Sequence, residues 1–154
     1  MSISHKLSHL AASLEGELLY DELNKILYST DASAYRIAPV AVAVPKSEQD
    51  ISKIIQFASQ NKISITPRTA GTSLAGQTVG EGIIVDVSKH FTKIVAFDQI
   101  NKTVTVQPGV IRDELNLYLK PYGLFFGPNT STSNRCMMGG MVGNNSSGTT
   151  SIRY

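Results

Sequence analysis

The chain has a single cysteine, Cys136, which excludes an internal disulfide framework and any cysteine-cluster metal site built from this chain alone. It also has no long apolar run. No segment approaches the roughly 20 apolar residues of a membrane span, and the N-terminal stretch MSISHKLSHLAASLEGELLYDEL lacks a continuous apolar core. Charge of one sign is scarce as well. A formal net charge of +2 with dispersed basic residues gives no footprint for nucleic acid or for an anionic membrane. A cytoplasmic location is expected, so the sequons at Asn129 and Asn145 carry no meaning for glycosylation. What is present is ordinary for one globular domain: 154 residues, 42% hydrophobic and 17% charged, with no internal repeat and no dividing linker.

Hydrophobic spacing predicts one or two short helices over residues 5–28. Leu7, Leu10, Ala11 and Leu14 form one stripe, Leu19, Leu23, Ile26 and Leu27 the next, and Gly16 separates them. The VAVAV run between Pro39 and Pro45 predicts a strand. Ser47 with Asp50 three residues later is a variant capping box, and Ile51, Ile54, Ile55 and Ala58 follow at helical spacing. ISIT at 63–66 closes a strand–helix–strand unit, expected to be parallel and right-handed with its two strand ends side by side. Strands are predicted at 83–87, and a hairpin from 93–97 and 103–107. A helix is predicted over 111–119 with Ile111, Leu115, Tyr118 and Leu119 on one face, stopped by Pro121 and Gly123. Everything beyond Phe126 reads as loop.

Two stretches carry the chemical signal: PRTAGTSLAGQTVG at 67–80 and GPNTSTSNRCMMGGMVGNNSSG at 127–148. Small side chains let backbone N–H groups crowd around an anion, and glycine supplies the positive φ that concave turns need. Two such loops suit a ligand long enough to be gripped twice, such as a dinucleotide. The first loop follows a predicted strand, and ligands of open α/β sheets favour the carboxyl ends of strands. It is not a P-loop, because Gln77 stands where the phosphate-binding lysine would be. Nor is it a Rossmann turn, because Gly71 and Gly76 are wrongly spaced and a strand follows.

Taken together the loops resemble the FAD-binding domain of the vanillyl-alcohol oxidase and para-cresol methylhydroxylase family. Pro67, Arg68, Gly71, Thr72, Ser73 and Gly76 match its pyrophosphate loop. Pro128, Asn129, Thr130 and Thr132, then Met137, Met138, Gly139 and Gly140, then Asn145, Ser146 and Gly148 match its second cofactor segment. The likeness covers roughly residues 36–154, and within the family it is nearest the D-2-hydroxyacid dehydrogenases acting on D-lactate, glycolate and D-2-hydroxyglutarate. It implies an α+β fold of the FAD-binding PCMH type: a small parallel β-α-β subdomain plus a second, incomplete mixed or antiparallel sheet. Residues 1–35 would be an N-terminal helical extension and 36–154 the FAD-binding domain.

The resemblance further implies FAD contacts from Arg68, Thr69, Ala70, Gly71, Thr72, Ser73, Gly76, Pro128, Asn129, Thr132, Gly139, Gly140, Asn145 and Gly148. Thr69 and Ala70 depart from the family's glycines, keeping the N–H donors but restricting φ. Thr72 stands near the position where covalently flavinylated members carry histidine, which implies noncovalent FAD. Family members continue beyond the point where this chain ends, so a fragment is expected, without the substrate cap or any iron–sulfur region, and without turnover of its own. No catalytic residue is assigned. Apolar surface left by the absent part would favour self-association.

Blander roles stand beside these. Arg68 could be a surface charge, Thr72 and Ser73 turn formers, and Asn129, Thr132 and Asn145 members of a flexible polar loop. Cys136 reads as a small buried apolar residue. His5 and His9, four apart, lack a third metal ligand. Met137, Met138 and Met141 either line a flavin pocket or fill a core. The rival to an oxidoreductase part is a folded interaction module without a complete flavin site. Within the same fold, a nucleotide-sugar reductase or an alcohol oxidase is the other reading.

Overall fold

The computed structural model describes residues 2–150 and 152–153, so residues 1, 151 and 154, which the expected domain boundaries include, lie outside the described residues. The chain divides into two compact units, residues 1–90 and 91–154.

The first unit is a four-stranded sheet in the order β1-β2-β4-β3, with β1 at Glu17–Leu19, β2 at Ala41–Val44, β3 at Ile65–Arg68 and β4 at Ile83–Asp86. β1 runs antiparallel to β2, while β2 and β3 each pair parallel with β4. β2 and β4 are buried throughout, as expected for β-branched runs covered on both faces. Alternate residues serve opposite faces. Ala41, Ala43, Ile83 and Val85 pack with Leu7 and Leu10 of α1 (Ile3–Ser13) and Ile54 and Ala58 of α3 (Glu48–Asn61), whereas Val42, Val44 and Ile84 meet Leu19 and Tyr28 on the other side.

Asp50 ties this unit together. Ser47 caps α3 by accepting from the Asp50 amide at 3.3 Å, and the Asp50 carboxylate, fully buried, accepts from the amides of Glu15, Gly16 and Lys46 at 2.9, 2.9 and 3.0 Å. Burial opposes its charged form, but these three amides outweigh that and hold the carboxyl below its ordinary pKa.

Two expectations are corrected here. The ends of β2 and β3 are not side by side, because β4 lies between them. Pro67 gives the reason: it has no N–H to donate to a ladder, so β3 suits the sheet edge and the wholly apolar start of β4 takes the interior. The second correction concerns residues 5–28, where Leu19 belongs to strand β1 and only Glu22–Leu27 form the second helix, α2. None of the α2 residues is buried; Leu23 is 66% exposed. Ile55 likewise faces solvent, although its spacing placed it on the buried stripe.

In the second unit β5 (Ile94–Asp98) and β6 (Thr103–Val106) form the expected antiparallel hairpin, with an irregularity between Ile94 and Ala96. Its turn is held by the Asp98 carboxylate, which accepts from the amides of Ile100 and Asn101. α4 (Arg112–Leu119) buries Leu115 and Leu119 against Ile94, Phe97, Val104 and Val106. The segment after Phe126 is not all loop. Met138–Gly143 form a short helix, α5, whose glycine-rich sequence has poor intrinsic propensity; Met138 and Met141, buried in the same core, hold it. The methionine alternative is thereby decided for two of the three: Met138 and Met141 fill a core, and Cys136 is buried beside them.

Candidate flavin site

The first loop leaves the carboxyl end of β3 at Arg68 and returns to β4 at Ile83. It joins neighbouring parallel strands without a helix, so its backbone must find partners elsewhere. Among the described residues, no acceptor pairs with the amides of residues 69–74. Residues 69–73 are half-buried, and residues 69–80 carry no carboxylate. Gly71 sits at φ +67°, a conformation that side-chain-bearing residues rarely adopt. A run of open donors around a left-handed turn fits a diphosphate.

The loop's side chains do other things. Ser73 Oγ donates to Gln77 Oε1 at 2.7 Å and accepts from the Ala75 amide at 3.2 Å, the turn-forming role expected of a small hydroxyl residue. Arg68, for which the resemblance implies a contact with FAD, is engaged within the protein. Its Nη1 donates to the carbonyl of Thr30 at 2.8 Å and, more weakly, to those of Thr78 at 3.4 Å and Tyr28 at 3.5 Å, while its Cζ lies 5.2 Å from the centre of the Tyr28 ring. The guanidinium is held by carbonyl oxygens. Tyr28 in turn donates its hydroxyl to the buried Asp86 at 2.7 Å, and burial together with that carboxylate raises the phenol's pKa far above the ordinary value.

The second loop is closed on itself. The Asn129 amide donates to the Ser147 carbonyl, and Asn129 pairs with Gly148, whose φ of +85° and lack of a side chain let the two backbones touch. The carbonyl of Pro128 accepts from Arg112 Nε at 2.8 Å, and that of Thr132 accepts from the amides of Arg135 and Cys136. Gly139 donates to the Pro108 carbonyl, and a Cβ there would collide with the Pro108 ring. Gly140 lies within α5 and accepts from the Asn144 amide; Asn145, at φ +50°, is exposed. Packing within the unit is by itself enough to require glycine at 139 and at 148, two of the positions where the resemblance implies a contact with FAD.

Residues 28–35 were missed by sequence reading and prove to be partners of the first loop. The Ala32 amide donates to the Gly71 carbonyl at 3.2 Å, Thr78 Oγ1 donates to Asp31 Oδ2 at 3.2 Å, and the Tyr35 ring packs where a Cβ on Gly76 would come within 2.6 Å of it. Burial disfavours the charged Asp31, yet hydrogen bonds from Ser33 and Thr78 outweigh it and lower its pKa. The signal available was the turn chemistry of TDAS, where Asp31 accepts from the Ser33 amide at 2.8 Å. The rings of His5 and His9 lie 4.5 Å apart, tilted at 50°, on the exposed side of α1, and no group of three metal-ligating side chains occurs among the described residues. Nor, among those residues, is any helix long and apolar enough to cross a membrane.

A family model described as an FAD binding domain matches residues 39–154. The chain is 41% identical over 143 residues to a D-2-hydroxyglutarate dehydrogenase of Haemophilus influenzae and 42% identical over 142 residues to that of Escherichia coli, covering 91% and 90% of this chain but 14% of each relative. It is 36% identical to the glycolate oxidase subunit GlcD of Bacillus subtilis, over 88% of this chain and 30% of the relative. Among solved structures, an alkyldihydroxyacetonephosphate synthase superposes with a TM-score of 0.84 at 20% identity, covering all of this chain and 31% of that one. Physcomitrella patens BBE-like 1 superposes at 0.74 and 20% identity, covering 88% of this chain and 30% of that one. These likenesses establish the fold as the α+β PCMH type. The chain belongs to the FAD-binding domain family, resembles the D-2-hydroxyacid dehydrogenases within it, and has FAD as its cofactor.

Proposed function

We propose that this chain supplies the flavin-gripping part of an oxidoreductase acting on a D-2-hydroxy acid, with residues 36–154 as the FAD-binding part and 1–35 as an extension. The observation that carries the reading is the run of amides at 69–74 without acceptors among the described residues, set at the carboxyl end of a parallel strand. The amides of Thr69, Ala70, Gly71, Thr72 and Ser73 would hold the diphosphate, and Gly76 would shape the far side of the same turn. Pro128, Asn129, Thr132, Gly139, Gly140, Asn145 and Gly148 would contact the adenosine half from a loop that is already stiffened by its own hydrogen bonds. Arg68 contributes through its backbone and its grip on the loop.

The chemistry supplied by FAD when bound is acceptance of a hydride equivalent from the α-carbon of the hydroxy acid. This chain's part is to bind and orient the cofactor. Thr72 brings no covalent link, so binding would be reversible. We assign no catalytic residue, and the chain alone should show no dye-coupled oxidation of D-lactate or D-2-hydroxyglutarate. A cytoplasmic location is part of the same proposal, with which a single free cysteine is compatible. Self-association of the isolated chain is supported by Leu23, Ile26 and Leu27, which are 66%, 52% and 60% exposed on α2; a monomer mass by sedimentation would count against it.

The test is a thermal melt of the chain with and without excess FAD, read beside its visible spectrum. A ligand that binds only the folded state raises the melting temperature. A rise with a flavin band supports the reading, and a folded, colourless chain that FAD does not stabilise supports the interaction-module alternative.

A further inference from the structure

We infer that the segment 28–35, fastened by Arg68, is a brace that sets the shape of the 69–76 loop, and that Arg68 is a positioning residue for FAD and not a phosphate ligand. This rests on the FAD reading above. Four independent ties connect the segment to the loop. Arg68 Nη1 bonds the Thr30 carbonyl at 2.8 Å and reaches the Thr78 carbonyl at 3.4 Å, so one guanidinium spans the segment and the loop's far end. The Ala32 amide holds the Gly71 carbonyl, and Thr78 Oγ1 holds Asp31. The Tyr35 ring covers Gly76.

The ties have a shared geometric effect. Anchoring the Gly71 carbonyl on Ala32 turns that carbonyl toward the brace, while the neighbouring amides find no acceptor among the described residues. Gly71 has no side chain because the guanidinium occupies its place: a Cβ there would lie 2.6 Å from Arg68 Nη2. The ring of Tyr28 supports the same guanidinium from 5.2 Å, and Tyr28 is itself fixed to Asp86 at the end of β4. A loop held open in its binding shape avoids the ordering cost that a free loop would meet on binding. Arg68 thus raises affinity without touching the ligand.

The experiment compares the chain with Arg68→Met, Thr78→Val and the double variant, each confirmed folded by far-UV circular dichroism. FAD affinity is read by quenching of flavin fluorescence at several salt concentrations, and backbone order parameters for residues 69–76 are measured without FAD. Thr78→Val deletes only the tie to Asp31 and removes no charge. The expected result is about tenfold weaker FAD binding in Arg68→Met and about threefold in Thr78→Val, non-additive in the double. The loop's order parameters should be lower in every variant, and Thr78→Val, which removes no charge, should weaken binding without changing its salt dependence. Weaker FAD binding in Arg68→Met with the order parameters of residues 69–76 unchanged would overturn the inference, because it signals a guanidinium that acts on the ligand and not on the loop. So would unchanged affinity beside a wild-type chain that binds FAD. If the wild-type chain does not bind FAD, the flavin reading fails by itself, and the order parameters still decide the brace: unchanged values in all variants reject it.

Discussion

Replacing Asp50 with asparagine tests whether one buried carboxylate holds the first unit together. Its Oδ1 accepts from Glu15, and its Oδ2 accepts from both Gly16 and Lys46. The least costly asparagine keeps its oxygen toward Gly16 and Lys46 and turns its NH2 toward Glu15, setting donor against donor. One charge-assisted bond is lost and two are weakened. With about 1.5–3 kcal/mol for a hydrogen bond to a charged group and about 1 for a neutral one, the expected loss is about 3 kcal/mol. That is a fall of roughly 6–12 °C in Tm for a chain of this size. The pH dependence gives a second reading. Asp50's folded pKa lies below its unfolded value, near 4 for aspartate, so its stabilisation is full above that value and is lost as pH falls through the folded pKa. The difference between wild type and Asp50→Asn in urea denaturation should therefore shrink on acidification below about pH 4. A difference under about 0.5 kcal/mol at pH 7, or one that grows in acid, would refute the role given to the three amides.

Three other perturbations have expected outcomes. Gly71→Ala forces a side chain into φ +67° and against Arg68; melting should show a loss of about 1–2 kcal/mol, and FAD titration a weaker complex. Gly148→Ala, which drives a Cβ into the Asn129 carbonyl at φ +85°, should destabilise the second unit by about 2–3 kcal/mol in thermal melts even without FAD, because its glycine is explained by packing. Tyr28→Phe leaves the buried Asp86 with the Ser88 amide but without the phenol, so about 1–3 kcal/mol should be lost in urea titrations; in the wild type, ultraviolet titration should find one tyrosine that stays protonated well above the ordinary range.

How much of this was legible depended on whether the cause was local. The α3 cap at Ser47, the β5–β6 hairpin and the α4 face of Leu115 and Leu119 follow from short-range rules, and sequence reading found them. The β-branched runs of β2 and β4 were readable as strands, but their adjacency was not, because spacing says nothing about which strand takes the interior. Pro67 held that information and was read only as a loop residue. α5 was invisible since its glycines argue against a helix, and only the core around Met138 and Met141 makes it one. The general expectation that the two loops use glycine at positive φ holds at Gly71, Gly76 and Gly148. Gly139 and Gly148 are required by residues packed against them, a need that looks the same in a sequence as the need to admit a ligand. Arg68 is the same kind of case, since nothing local reveals that its partners are the carbonyls of residues 28 and 30.

The central claim is that the amides of residues 69–74 are the anion-gripping surface for FAD. Amide chemical shifts of the isotopically labelled chain, followed during titration with FAD and separately with ADP, address it directly. Both ligands should shift Thr69, Ala70, Gly71, Thr72, Ser73 and Leu74 in a saturable manner, with Asp50's three amide partners unmoved. Saturable FAD binding that leaves residues 69–74 unshifted would contradict it.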